Sequence, residues 1–207
     1  MELDEDKLDT LREIAHIGAG NASKSLSELT DNRVGVEFPK IEKHNVKDIP
    51  ELFESPGKTV TSVSINVGVE NNQGGEEDLG ELLLLMDWDS TKKLAEILTE
   101  EEVGEPPLKG VQKSSIGETG NILAGSCLSA ITEYVDLKLL EGVPEVNTDL
   151  LGAVMDEHLL EIAKKDNDLL VFQTNFTLEN EKAEAYFVIL FKPEKYKVIL
   201  NRLEVDQ

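Results

Sequence analysis

The chain repeats itself, and that constrains its fold more than any single motif does. A shift of 105 residues lays Glu13 on Glu118, Ile17 on Ile122 and Ala19-Gly20 on Ala124-Gly125. The same shift lays Glu28 on Glu133, Asp31 on Asp136 and Pro39 on Pro144. It also aligns the far end of each half, with Leu83-Leu84-Leu85-Met86 falling on Val188-Ile189-Leu190-Phe191. Helix-then-strand patterns are common, so no single match decides. One offset that serves both ends argues for an internal duplication, with repeats at about 5–99 and 110–204 and a linker at about 100–109 that contains Pro106-Pro107. A single domain over 1–207 is expected.

Each half reads alike. Leu8, Leu11, Ile14, Ala15, Ile17, Ala22 and Leu26 recur at helical spacing, which predicts a long amphipathic helix over 5–30; its counterpart spans about 111–135. Runs of strand type follow: Val34 to Phe38, Val60 to Val69 and Leu82 to Met86, then Leu137 to Leu140, Leu169 to Leu178 and Ala185 to Phe191. The cluster Asn71-Asn72-Gln73-Gly74-Gly75 predicts an antiparallel hairpin, and Asn180-Glu181 takes that part in the second half. Helices are expected at 89–99, after Asp89-Ser90, and at about 149–164, after Asn147-Thr148-Asp149. The sum is an α+β fold built on antiparallel hairpins, the two repeats sharing one core and the long helices on the surface.

Composition narrows the function. Acidic residues outnumber basic ones 42 to 20, a formal charge of −22. Gripping nucleic acid or inserting into an anionic membrane is excluded as the main task, because both need a basic face. The longest apolar run, Leu82 to Met86, is too short to span a bilayer. The single cysteine, Cys127, and an opening Met1-Glu2-Leu3-Asp4-Glu5-Asp6 without signal-peptide character point to the cytoplasm. His16, His44 and His158 are scattered and there is no CxxC, so no metal site is expected. Gly18 to Ser25 imitates a phosphate-binding loop, but Ser23 stands where that loop needs glycine, and a helical pattern precedes it instead of a strand. The glycines there are expected to let one helix pack closely on another.

What remains is a polar set on each long helix. In the second repeat it is Ser114, Glu118 and Asn121, with Pro144 downstream; steps of four and three place the first three on one helical face. The first repeat has Asp9, Glu13, His16 and Pro39 at the same steps. The doubled pattern Asp/Ser-x3-Glu-x2-Asn-x22-Pro, together with the stretches Glu13 to Ala22 and Glu118 to Ile122, resembles the CheC-type phosphatases of the CheC/CheX/FliY family, over essentially the whole chain.

That resemblance implies an internally duplicated CheC-like fold and hydrolysis of the aspartyl phosphate on the chemotaxis response regulator CheY. It implies that Asn121 holds a water in line with phosphorus, that Glu118 meets a receiver lysine, and that Ser114 and Asp9 lie at the docking edge. It gives Glu13 and His16 the second site. His16 stands where the family has Asn, and an imidazole differs from a carboxamide in geometry and protonation, so this site is expected to be impaired. No cofactor of its own is implied, Mg2+ belonging to the partner receiver domain. The receptor deamidase CheD is a further implied partner, with the helix beginning near Asp149 as its docking surface. A non-catalytic adaptor acting on CheD and a flagellar-switch component resembling FliY or FliM stay open as alternatives.

Overall fold

A computed structural model describes residues 5–70, 75–135, 137–158, 168–178, 181–191 and 199. The two long helices span the predicted ranges: α1 is Glu5–Thr30 and α3 is Gly110–Val135, 26 residues each. Between and after them run β1 (Val34–Asn45), a 3-10 helix (Val46–Phe53), β2 (Thr59–Glu70), β3 (Glu76–Asp87), α2 (Trp88–Thr99), β4 (Leu139–Glu141), β5 (Glu145–Leu150), α4 (Leu151–His158), β6 (Asp168–Leu178) and β7 (Glu181–Phe191). Seven strands form one antiparallel sheet in the order β1-β6-β7-β3-β2, with β4 and β5 both on the remaining edge of β2. The fold is α+β, as expected.

The sheet is buried on both faces. Leu82, Leu84 and Met86 point toward α1, α2 and α3, and with Leu11, Leu26, Ile116, Leu123, Phe172 and Phe187 they form the larger cluster. Leu83 and Leu85 point the other way, into a smaller cluster with Ile49 and Phe53 of the 3-10 helix and Leu151 and Val154 of α4. The two repeats share the larger cluster, as expected, and a second, smaller cluster on the other face also draws on both. Side chains alternate across a strand, so an unbroken apolar run such as Leu82 to Met86 marks a strand covered twice.

Two other expectations fail for identifiable reasons. Asn147-Thr148-Asp149 is not a helix start; it lies in β5, with Asp149 opposite Val60 and the Thr148 hydroxyl 3.1 Å from that of Thr61. Asx and Thr residues cap helices in general, but here pairing to a distant strand prevails, and α4 begins only at Leu151. The expected continuation of this helix over 159–164 lies outside the described residues, as do Asn71 to Gly74, Asn180 and the end of the second repeat. At α2 the capping side chain is Asp87, which accepts a bond from the Ser90 N–H at 2.7 Å, not Asp89.

The 105-residue offset carries α1 onto α3 and β3 onto β7, and lays β1 over β4 and β5. Pro39 falls where the β1 pairing shifts register, and Pro144 falls in the gap between β4 and β5. A proline has no N–H to give a ladder and so marks such breaks.

The serines of the phosphate-loop imitation have a structural task. β1 is an edge strand, and its outward N–H groups need partners. Ser23 Oγ accepts from the Val36 N–H at 2.8 Å and Ser27 Oγ accepts from the Val34 N–H at 2.9 Å. Each hydroxyl also donates within α1, to Ala19 O and to Ser23 O. Ser23→Ala combined with Ser27→Ala leaves two part-buried N–H groups unpaired. Urea unfolding should show a loss of about 1–3 kcal/mol; an unchanged midpoint contradicts the assignment.

His158, in the last turn of α4, sits 3.1 Å from Glu81 on β3. Its hydrogen bond to Glu81 holds the imidazole above its ordinary value of 6.5, against the opposing effect of burial. A raised folded-state value means a stabilisation fully present below 6.5 and lost as pH rises through the raised value. The His158 midpoint by NMR should therefore lie above 6.5 and fall back in Glu81→Gln. The unfolding free energy should also decline more with rising pH in the wild type than in that variant; equal slopes contradict the pairing.

Candidate functional site

Helix α3 lies directly on the sheet. A Cβ at Gly120 would come within 2.6 Å of Val63 on β2, and one at Gly117 within 3.1 Å of Val146 on β5. Ile116, Gly117, Thr119 and Gly120 are buried by that contact, and the opposite stripe faces solvent. On that stripe stand Ser114 and Glu118, both exposed, and Asn121, half-buried. The Glu118 carboxylate and the Asn121 carboxamide thus project from one exposed helix face, one turn apart. Neither has an ion pair or side-chain hydrogen bond among the described residues. Ser114 turns its hydroxyl back to Gly110 O, 3.3 Å away on its own helix.

Helix α1 runs antiparallel beside α3 and touches it closely. A Cβ at Gly18 would stand 3.2 Å from both Cα and Sγ of Cys127. The helix-packing role expected of the glycines holds at Gly18 but not at Gly20, which has nothing within 4 Å of its Cβ position. Cys127 is buried in this contact, and burial pushes its thiol up to about 12, so it acts as a small core residue.

The α1 set is placed differently. Asp9, Glu13 and His16 are all exposed on one face. Asp9, however, is bound by Arg12, and Glu13 lies against Tyr134 near the end of α3. The Tyr134 phenol is held above its ordinary value, first by desolvation and then by the Glu13 charge and the hydrogen bond Glu13 accepts. The position 105 residues before Tyr134 is Leu29, so the two sites are not chemically equivalent. Asp149 is exposed, on β5, where it accepts a bond from the Leu150 N–H at 2.7 Å.

Between the two helices runs a groove of about 830 Å³, lined by Asn21 and Ser25 of α1, Asn121 and Gly125 of α3, and Glu141 of β4, among others. Sequence reasoning missed Glu141 and Tyr134. Glu141 reaches this face because β4 pairs with β2, setting Glu141 opposite Val67 on the helix side of the sheet. Its carboxyl is raised above its ordinary range by desolvation and by the charge of Glu118. Among the described residues, no group of three or more His, Cys, Asp or Glu is arranged to hold a metal, and no helix is long and apolar enough to cross a membrane.

Comparison with known proteins agrees with this layout. No family model matches the chain. A curated relative, "CheY-P phosphatase CheC" of Bacillus subtilis, is 27% identical and is matched over 92% of this chain and 89% of its own length. Among solved structures, Thermotoga maritima FliY superposes with a TM-score of 0.76 at 20% identity, covering 100% of each chain. The FliM middle domain of a Vibrio species (TM-score 0.62, 13% identity) covers 87% of this chain and 93% of its own, and shows that the same fold extends to it. The chain is thus similar over most of its length to a CheC-type phosphatase, and it shares the fold of FliY and of the FliM middle domain.

Proposed function

We propose that the chain hydrolyses the aspartyl phosphate of a CheY-type response regulator in the cytoplasm and so ends its signal. The observation that supports this most is the outward-facing pair Glu118 and Asn121, one turn apart on α3, with no ion pair or side-chain hydrogen bond among the described residues. The relative named for this activity supplies the substrate class.

In this reading α3 docks against the phosphorylated receiver. Asn121 inserts its carboxamide beside the acyl phosphate and orients a water in line with phosphorus. Glu118 meets a receiver lysine and fixes the register, with Ser114 at the contact edge. An acyl phosphate is already labile, and phosphoryl transfer asks mainly for positioning and charge stabilisation. The receiver brings its own Mg2+, so the phosphatase adds an orienting amide and no nucleophile of its own. The charge of −22 favours encounter with a lysine-bearing rim, and salt weakens that attraction.

The α1 site contributes less. His16 offers an imidazole in place of the amide, Glu13 is engaged by Tyr134, and Asp9 by Arg12. CheD is proposed to dock at the exposed side of α4 next to Asp149. A second reading, a flagellar-switch component, is favoured by the full-length likeness to FliY. It predicts stable binding to switch-ring proteins with no acceleration of phosphate release.

Phosphate release from phosphorylated receiver separates these readings. Wild type should accelerate it, and Asn121→Ala and Glu118→Ala should each slow it by about tenfold or more, as for loss of a positioning group. A double variant as fast as wild type refutes the catalytic assignment.

The ranking of the two sites has its own check. His16→Asn should raise the rate. If His16→Ala removes most of the activity while Asn121→Ala removes little, the order is reversed.

A further inference from the structure

We infer that Glu141 determines specificity for the docking partner: it and Glu118 bracket Asn121 and together receive one cationic side chain from the rim of the receiver's phosphorylation pocket. The identity of that partner rests on the phosphatase reading above.

The placement carries the inference. Along α3, Asn121 stands between Glu118 and Gly125, on the stripe that steps of three and four define. The Glu141 carboxylate reaches from β4 over that stripe: a Cβ at Gly125 would stand 2.7 Å from one of its oxygens and 3.2 Å from the other. The strand is anchored there by the Gly142 N–H, which donates to Asn66 O at 2.8 Å. Glu141 and Asn121 line the same groove.

Charge gives the occupant. Neither Glu118 nor Glu141 has an ion pair among the described residues, and no lysine or arginine lines the groove. Glu133 adds a third carboxylate to the groove lining, so the groove as a whole presents negative charge. The Glu118 charge acts on the Glu141 carboxylate, and like charges repel, more so where water is partly excluded. That repulsion is relieved when a cation from outside docks between them. Among the described residues no group of three or more His, Cys, Asp or Glu is placed to build a metal site here. An ammonium or guanidinium on a docking protein needs only these two carboxylates.

The pair belongs to the α3 site. The residue 105 positions before Glu141 is Val36, which is buried in the core. No second carboxylate is supplied to Glu13 in this way, and Glu13 bonds Tyr134 instead. The inequality of the two sites thus extends beyond His16 to how a docking cation is held.

The test uses a receiver domain charged with beryllofluoride and Mg2+ for binding, and phosphorylated receiver for turnover, each with wild type, Glu141→Gln and Asn121→Ala. Glu141→Gln should raise Kd and KM about fivefold to tenfold at low ionic strength, as for a lost close charge pair. Its kcat should stay within about twofold, since the water-aiming group is intact. Added salt should shrink the difference. The free variant should melt no lower than wild type, because a repulsion has been removed. Unchanged Kd and KM in Glu141→Gln, while Asn121→Ala is inactive, overturn this inference and leave the phosphatase reading standing. Asn121→Ala hydrolysing like wild type overturns the phosphatase reading instead. If Mg2+ alone raises the melting temperature of wild type but not of Glu141→Gln, the carboxylates hold a metal, and the inference is overturned.

Discussion

The close approach of α1 to α3 at Gly18 and Cys127 fixes what the molecule can present to a partner. With no side chain at Gly18, the helices lie near enough for Asn21 and Ser25 of one to share a groove with Asn121 of the other. On the underside, Gly117 and Gly120 let α3 settle onto β2 and β5, which turns Glu118 and Asn121 outward. A bulkier residue at either place would lift or rotate α3, and the spacing of its polar stripe would no longer define a docking face.

The sheet is the rigid base for this arrangement. Both its faces are covered, by α1, α2 and α3 on one side and by the 3-10 helix and α4 on the other. Residues on an element packed this way keep their relative positions, which positioning catalysis requires. The two helices have nevertheless diverged in chemistry. On α1 the acidic groups are engaged by Arg12 and Tyr134 and the amide position holds His16; on α3 the carboxylate and amide have no ion pair or side-chain hydrogen bond among the described residues, and Glu141 has joined them.

Much of this was legible in the sequence because it is local. Helical periodicity gave the bounds of α1 and α3, and the step of three from Glu118 to Asn121 gave their common face. Alternating runs bounded by turn residues gave the β2–β3 hairpin. What could not be read depends on distant partners. Asn147-Thr148-Asp149 has the composition of a helix cap, and only the free edge of β2 makes it a strand. Double burial of Leu82 to Met86 depends on what covers each face. Glu141 carries no spacing signal, since its place beside Gly125 follows from the β4–β2 register. Ser23 and Ser27 resembled part of a phosphate loop locally, yet they serve the edge of β1.

The reading turns on where the Asn121 carboxamide lies when a receiver is bound. A structure of the complex with a beryllofluoride-charged receiver measures this directly. The account predicts α3 against the receiver pocket, with the Asn121 amide one water away from beryllium, on the side opposite the aspartyl oxygen. A complex in which the receiver docks on another face, or in which Asn121 points away from the pocket, contradicts it.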